Sequence, residues 1–330
     1  MKKLTFRTPS SGRPLLDLVS YGRGGPGGLT PTQVEHVRRT VRRVPEVMVK
    51  VLSRGGQDLK SVAKHIDYID RHGDLPLETD EGERLFAQAS KSLLADWDLD
   101  LEDKRRGNDL KPTGARRAPK LIYKLMFSMP ERTPPEKVRE AVRNFAREEF
   151  ALKHRYAFVL HTDEPHPHVH MVVKAVSEQG ARLNIRKHTL RRWRADFAQH
   201  LRELGVPANA TERAVRGETR KAKKDAIYRA GLRGDSSHLR AQVEGVAVEL
   251  RNGGVAETGK QKLLETRKAV ERGWSSVAAL IATEGHAALA DEVNRFVGRL
   301  PAPMTERERI GDALLRVVRQ SRLRDQNMSR

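Results

Sequence analysis

Apolar residues change their spacing several times along this chain, and each change predicts an element of secondary structure. Apolar runs and strict alternation are typical of strands. The strands predicted in this way are residues 47–53, 121–129, 156–161, 168–174 and, at an edge, 182–185, and residues 75–79 are predicted to be short and extended. A loop with two prolines separates the 156–161 and 168–174 runs, which predicts an antiparallel hairpin.

Apolar residues three and four positions apart predict helices between and after these strands. The predicted helices are residues 58–72, 80–97, 134–152, 188–204, 239–250, 260–272, 275–284, 286–297 and 306–319. Residues 100–118 are charged and contain Gly107, Pro112 and Gly114, which predicts a mobile loop. The pattern favours an α+β fold, with helices packed on one face of an antiparallel sheet and a mostly helical C-terminal region.

Composition divides the chain further. Residues 1–45 carry nine Lys and Arg against two acidic residues and contain a Gly/Pro-rich stretch, which predicts a flexible basic arm. Residues 46–205 hold the mixed strands and helices of one folded domain. Residues 206–234 are predicted to be a basic linker, and residues 235–330 the helical C-terminal region.

The charge balance indicates the class of partner. The chain has a formal net charge of +20, and such charge repels itself unless a polyanion, usually nucleic acid, neutralises it. It has no cysteine, so a metal ion must be held by His, Asp or Glu. No apolar run approaches the ~20 residues of a membrane span. The N-terminus lacks the pattern of a secretory signal. We therefore expect a cytoplasmic protein without membrane insertion.

Four histidines lie within the ten residues from His161 to His170. In the predicted hairpin His161 faces His168, and His168 shares its face with His170 because residues two apart on a strand do so. Such a trio suits one divalent ion with positions left open for substrate. The alternative is ordinary packed or hydrogen-bonded histidines. His166 either supports a ligand or is simply exposed, and Asp163 either orients an imidazole, accepts a proton or forms the turn.

Tyr68 lies off the apolar stripe of its predicted helix. The stripe consists of Leu59, Val62, Ala63, Ile66 and Ile69. At ~100° per residue Tyr68 lies nearly opposite the stripe centre, among Lys64, Arg71 and His72. A phenol on a cationic face is suited to meet a phosphate, although a tyrosine that covers a helix end gives the same pattern. Attack by its oxygen on a metal-polarised phosphodiester would leave a phosphotyrosine bond and a free 3′-hydroxyl.

Three stretches together resemble the conjugative relaxases, which are mobilisation nucleases of the HUH endonuclease superfamily. They are Lys64-His-Ile-Asp-Tyr-Ile-Asp-Arg-His-Gly73, Met126-Phe-Ser-Met-Pro130 and the segment from His161 to His170 followed by two valines. The resemblance covers about residues 46–205 and is nearest to the P-type class that includes the T-DNA border endonucleases.

This resemblance implies a set of roles. Tyr68 would cut at an origin of transfer and stay attached to the 5′ end. His161, His168 and His170 would bind the catalytic divalent ion, Mg²⁺ or Mn²⁺. Asp163 would orient a group or accept a proton. Position 165, which is an acid in many relatives, is proline here, so a base at that position is in doubt.

Several basic and polar residues are predicted to contact DNA. Ser128 would lie near the nick by the resemblance. Lys64 and Arg71 flank Tyr68 on its helix, and the 188–204 helix is predicted to turn Leu190, Trp193, Phe197 and Leu204 inward. Its outward arginines, Arg191, Arg192 and Arg194, would then hold the DNA backbone.

The resemblance also implies partners: single-stranded DNA at the origin of transfer, accessory mobilisation proteins and the coupling protein of a secretion system. No phosphate-binding loop of the Gly-x-x-x-x-Gly-Lys-[Ser/Thr] type is present, so a helicase would come from another protein.

Other functions remain open. Rolling-circle replication initiators share this type of metal centre, but their histidines precede the tyrosine, whereas here Tyr68 comes first. The remaining alternatives are a non-catalytic nucleic-acid-binding protein with structural histidines and a hydrolase that uses water.

Overall fold

The computed structural model describes residues 28–52, 56–109, 119–219, 230–231, 233–253 and 259–328. Two compact units are formed. The sheet unit spans residues 42–210, and the helical unit contains the residues up to 41 together with those from 211 onward. Within the described residues, no helix has the length and apolar character needed to cross a membrane.

The helices lie at these positions in chain order: α1 (Pro31–Val41), α2 (Leu59–Ile69), α3 (Ala89–Asp96), α4 (Leu99–Asp109), α5 (Pro135–Phe150), α6 (Lys187–Glu203), α7 (Ser237–Arg251), α8 (Lys260–Thr283), α9 (Ala287–Gly298) and α10 (Glu306–Met328). The strands are β1 (Met48–Leu52), β2 (Leu77–Thr79), β3 (Arg84–Leu85), β4 (Ile122–Ser128), β5 (Tyr156–His161) and β6 (His168–Lys174).

The six strands of the described residues form one antiparallel sheet in the order β1-β4-β6-β5-β2-β3. The predicted hairpin is present: β5 and β6 are neighbours, with His161 opposite His168 and Val159 opposite His170. On its other side β6 pairs with β4, which places Ser128 opposite His168. The α+β prediction, with a sheet followed by a helical C-terminal region, is confirmed.

One face of the sheet packs against α5 and α6. Val169, Met171 and Val173 alternate along β6 and enter a core that includes Phe145 of α5 and Trp193 of α6. Since successive residues of a strand point to opposite faces, His168 and His170 lie on the other face.

That second face, the histidine face, also carries helices. Val159 and Val172 pack in a core with Ile66 of α2, Leu93 of α3 and Trp97 just after α3. The expectation of helices on a single face is therefore wrong. Every residue of β6 is buried, which shows that both faces of this strand are covered.

Helix α2 positions the tyrosine segment. Asp58 precedes its first turn and accepts a hydrogen bond from the backbone N–H of Ser61 at 2.8 Å, which is an ordinary N-cap. Val62, Ile66 and Ile69 are fully buried, as the stripe predicted. The helix ends in a left-handed turn, with φ of 56° at Arg71 and 59° at His72.

Some predicted elements of the sheet unit differ. The segment 80–97 begins with a turn at Gly82, whose φ is 85°, and the short strand β3, so its helix is limited to α3. Helix α4 occupies residues 99–109 of the predicted loop, and residues 110–118 lie outside the described residues. The predicted edge strand at 182–185 is a single bridge between Val176 and Arg182.

The predicted arm and linker are also partly wrong. Val34 and Val37 of α1 are buried in the helical unit beside Trp274 and Val277 of α8, so residues 31–41 are not a flexible arm. The apolar pattern of this helix is only a few residues long and is surrounded by Gly, Pro and Arg, so it does not predict a helix. Residues 1–27 lie outside the described residues.

The first part of the predicted linker is packed. Val206 and Ala208 belong to the core of the sheet unit. Val215 is buried in the helical unit, and its carbonyl oxygen accepts a hydrogen bond from Trp274 Nε1 at 3.0 Å. Residues 220–229 and 232 lie outside the described residues.

The C-terminal helices are close to those predicted, with one difference. The two helices expected at 260–272 and 275–284 are the single helix α8, which continues through the buried Gly273. A glycine inside a helix is unfavourable but tolerated.

Candidate metal centre

Three buried imidazoles meet on the histidine face where β5 and β6 face each other. The ring centroids of His161, His168 and His170 are 4.8 to 5.2 Å apart in each pair. Each ring offers one nitrogen, and these atoms all lie within 4.8 Å of one another. The convergence predicted from strand alternation is therefore present.

Hydrogen bonds determine which ring nitrogen carries a lone pair. His168 Nδ1 donates to the carbonyl oxygen of His166 at 3.0 Å, which leaves Nε2 free to accept or to coordinate. His161 Nε2 donates to the carbonyl oxygen of Ile69 at 2.6 Å, which leaves Nδ1 as the acceptor atom. His170 Nδ1 is buried without a hydrogen-bond partner among the described residues.

These features fit a divalent metal ion. Burial, together with repulsion from His161 and His168, lowers the pKa of His170 to about 3. The pKa of His161 is also lowered, mainly by burial. Both shifts favour the neutral imidazole, which is the form that coordinates metal. A buried polar atom without a partner is a common mark of a site that holds an ion.

Arg71 extends the centre towards Tyr68. Its guanidinium Nη2 lies 3.2 Å from His161 Nδ1 and also forms an ion pair with Asp163. The guanidinium carbon lies 5.2 Å from the centroid of the Tyr68 ring, within cation–π range. Arg71 therefore contacts the predicted nucleophile, a predicted metal ligand and the predicted acid at once.

Tyr68 lies at the rim of the centre with half of its surface exposed (49%). Its position off the buried stripe of α2 follows the helical spacing in the sequence. Arg71, which contacts both the Tyr68 ring and His161, links Tyr68 to the histidine trio.

His65 was not among the residues predicted to act. Its ring centroid lies 6.4 Å from the ring centroids of both Tyr68 and His170. Its Nε2 is buried without a hydrogen-bond partner among the described residues, and burial, followed by the charge of Lys124, lowers its pKa to about 3. The spacing of three between His65 and Tyr68 is the signal in the sequence, since residues so spaced share a helix side.

Ser128, Lys64 and His166 were also predicted to act near the centre, and each has a different environment. Ser128 lies across from His168, and its hydroxyl donates to the carbonyl oxygen of Met129 at 3.4 Å. Lys64 is exposed on α2. His166 is exposed, and its Nδ1 accepts from the backbone N–H of Glu131 at 3.0 Å. His166 supports the centre through its backbone carbonyl, which fixes the ring of His168.

The arginines of α6 are not brought to this centre. Helix α6 packs on the face opposite the histidines, with Trp193 fully buried in the core as predicted. Arg192 forms a two-pronged ion pair with Glu149 of α5, and Arg194 donates to the carbonyl oxygen of Val49 at 3.3 Å. Arg191 and Arg194 are half-buried, and DNA contact by these three arginines stays a prediction.

Residues 81–206 match the family model described as "Relaxase: MobA/VirD2-like, nuclease domain". This segment is similar to a relaxase nuclease domain. The matched segment includes the three histidines and Ser128, and it begins after Tyr68. The resemblance to the HUH superfamily is thereby confirmed, and the family uses a divalent metal ion. No curated protein matches the chain.

Proposed function

We propose that this protein nicks single-stranded DNA at an origin of transfer by attack of Tyr68 on one phosphodiester. A relaxase nuclease domain indicates DNA nicking during mobilisation. The proposal adds the nucleophile, the strand-specific site and the rejoining step. The observation that carries it is the half-exposed Tyr68 beside a buried histidine trio, joined to it through Arg71.

The reaction is a transesterification. The Tyr68 oxygen forms a bond to phosphorus and gives up its proton, while the bond from phosphorus to the 3′ oxygen breaks and that oxygen leaves as a hydroxyl. The products are a 5′-phosphotyrosyl adduct and a free 3′-hydroxyl. Because the number of phosphoester bonds is unchanged, attack by the 3′-hydroxyl on the adduct rejoins the strand.

We propose that His161, His168 and His170 hold Mg²⁺ or Mn²⁺. When bound, such an ion polarises the phosphodiester and stabilises the negative charge that develops on it. The protein side chains around it position the reactants. Arg71 supplies a planar cation suited to a phosphate oxygen, and Lys64 of α2 offers a second cation.

Asp163 has two proposed roles, orienting a group or accepting the tyrosine proton. Its contact with Arg71 favours the first, because the carboxylate holds the guanidinium between Tyr68 and His161. It lies 4.0 Å from His161 Nδ1, which is beyond hydrogen-bond distance. We therefore assign Asp163 to positioning Arg71.

The test uses the full-length protein with Mn²⁺ and single-stranded oligonucleotides tiled across the DNA that flanks the gene. Wild type should give a nicked strand and a protein–DNA adduct on a denaturing gel. Tyr68→Phe should give neither product. Tyr123→Phe is the matched control. Tyr123 lies on β4 and points to the sheet face opposite the histidines, so its hydroxyl should not be needed for cutting.

Each alternative function has its own outcome in this experiment. A hydrolase that uses water leaves a free 5′-phosphate, and Tyr68→Phe keeps its activity. A non-catalytic binding protein shifts the oligonucleotides without cutting them. A replication initiator acts at an origin of replication and not at an origin of transfer. Each of these results would contradict the proposal.

The wider role rests on the resemblance to relaxases. We propose that accessory mobilisation proteins and a secretion-system coupling protein assist the reaction, and that a separate protein supplies the helicase. The helical unit is the proposed contact for them, with the arginines late in α10 as part of a translocation signal.

A further inference from the structure

The atom of His161 that would coordinate a metal ion is the atom that Arg71 contacts. A carbonyl oxygen accepts hydrogen bonds, so the 2.6 Å contact with Ile69 requires a proton on His161 Nε2. In the neutral ring the lone pair is then on Nδ1. Arg71 Nη2 lies 3.2 Å from this atom and is a permanent donor, so the lone pair is already in use.

We propose that Arg71 and the divalent ion compete for Nδ1 of His161, and that binding of the ion releases the Arg71 guanidinium towards the DNA phosphate beside Tyr68. This inference rests on the proposed function of the same centre. One nitrogen lone pair cannot serve an N–H donor and a metal ion together. The two positive charges would also repel each other at this distance in a partly buried site.

The surroundings of Arg71 allow such a release. Asp163 is half exposed and pairs with the guanidinium, so it can keep Arg71 at the rim of the centre after the contact with His161 is lost. The guanidinium carbon also lies 5.2 Å from the centroid of the Tyr68 ring. A guanidinium next to both a carboxylate and the nucleophile is placed to bind a phosphate oxygen during in-line attack.

The backbone conformation of Arg71 also supports a functional role for its side chain. Its φ of 56° lies in the left-handed region, which is unfavourable for arginine, and His72 shares this conformation. Non-glycine residues persist in this region where the surrounding structure requires it, and such residues cluster at functional sites. Here the turn directs the Arg71 side chain back across the end of α2 to the histidines.

An alternative keeps Arg71 in place. If the His161 ring rotates on metal binding to offer Nε2, the hydrogen bond with Ile69 is lost and the contact with Arg71 need not break. The two arrangements predict different effects of removing Arg71, because only the first makes the guanidinium a competitor of the ion.

The first measurement is the affinity for Mn²⁺. Metal-free full-length protein is titrated with Mn²⁺, and electron paramagnetic resonance measures how much of the ion is bound. Arg71→Asn is the chosen variant, since asparagine tolerates a left-handed backbone. We expect it to bind Mn²⁺ about tenfold more tightly than wild type, the scale of one charge-assisted hydrogen bond. Lys64→Asn removes an equal charge from the helix that precedes Arg71, and its Mn²⁺ affinity should stay within about twofold of wild type, the scale of a surface charge.

The second measurement needs no variant. A dicarbonyl reagent modifies accessible arginines, and mass spectrometry of the peptides reports each one. Adding Mn²⁺ to wild type should speed the modification of Arg71. Arg143, which is ion-paired with Glu78 and Glu140, is the internal reference and should stay slow with or without Mn²⁺.

The inference is overturned if Arg71→Asn binds Mn²⁺ equally or more weakly, or if Mn²⁺ leaves the Arg71 modification rate unchanged or slower. Neither result bears on whether the protein nicks DNA. If wild type binds no Mn²⁺ or Mg²⁺ at all, the proposed metal centre fails and this inference fails with it.

Discussion

The imidazole of His65 stacks beside the phenol ring of Tyr68, with ring centroids 6.4 Å apart and planes inclined by 20°. The same imidazole lies edge-on to His170, also at 6.4 Å. His65 therefore lies near both the proposed nucleophile and His170, and both the His65 ring and the Arg71 guanidinium are neighbours of Tyr68.

We expect the His65 ring to position Tyr68. His65→Ala should slow adduct formation about tenfold, since it removes the packing that limits rotation of the phenol at the rim. His65→Phe should restore most of the rate, because a flat ring remains. Mn²⁺ affinity should stay near wild type in both variants.

The control for this prediction is His72→Asn, which changes an exposed histidine just beyond the same helix and suits its left-handed backbone. If His65→Phe is as slow as His65→Ala, ring packing is not the role of His65. Equal loss in His72→Asn would point to a general disturbance of the helix end.

His170 should be required for metal binding while lowering the free energy of unfolding of the metal-free protein. Its buried Nδ1 has no hydrogen-bond partner among the described residues, and an unsatisfied buried polar atom costs about 1–3 kcal/mol. We expect His170→Leu to abolish Mn²⁺ binding and nicking, and to raise the free energy of unfolding of the metal-free protein by about 1 kcal/mol. Urea unfolding and Mn²⁺ titration test the two parts.

A second histidine gives the matched comparison for His170→Leu. His154 Nδ1 bonds to the carbonyl oxygen of Lys174 at 3.0 Å, away from the trio. His154→Leu should therefore lower the free energy of unfolding by about 1 kcal/mol while Mn²⁺ binding persists. A destabilised, metal-binding His170→Leu protein would contradict the account.

Lys64 and Arg192, which lie on helices covering opposite faces of the sheet, should contribute differently to DNA affinity. Lys64→Gln should weaken binding of single-stranded DNA and reduce the salt slope by about 1, as for one lost phosphate contact. Arg192→Gln should leave the slope unchanged, because Arg192 is engaged by Glu149. Titrations at several salt concentrations measure both, and a flatter slope for Arg192→Gln would restore the expectation that this arginine holds the backbone.

The histidine trio could be predicted from the sequence because its geometry depends on two local rules. Residues two apart on a strand share a face, and a short loop sets the partner of each residue in a hairpin. These rules relate His161, His168 and His170 without knowledge of distant contacts. The same holds for Tyr68, whose place off the apolar stripe follows from helical spacing.

What the sequence could not supply depends on contacts between distant segments. Arg192 was expected to point outward because nothing local shows that Glu149 lies on the neighbouring helix. The position of His65 cannot be read from the local pattern, because its burial arises from the packing of α2 on the sheet. Val34 and Val37 form too short a pattern to reveal a partner more than 200 residues away in α8.

The central claim is that Tyr68 becomes covalently attached to DNA. Wild-type protein with Mn²⁺ and a cleaved origin oligonucleotide should be digested and its peptides analysed by mass spectrometry. We predict that the nucleotide remnant is found on the peptide containing Tyr68 and that its mass corresponds to a phosphodiester on the phenol. A remnant on any other residue, or a nicked strand with a free 5′-phosphate and no modified peptide, would contradict the account.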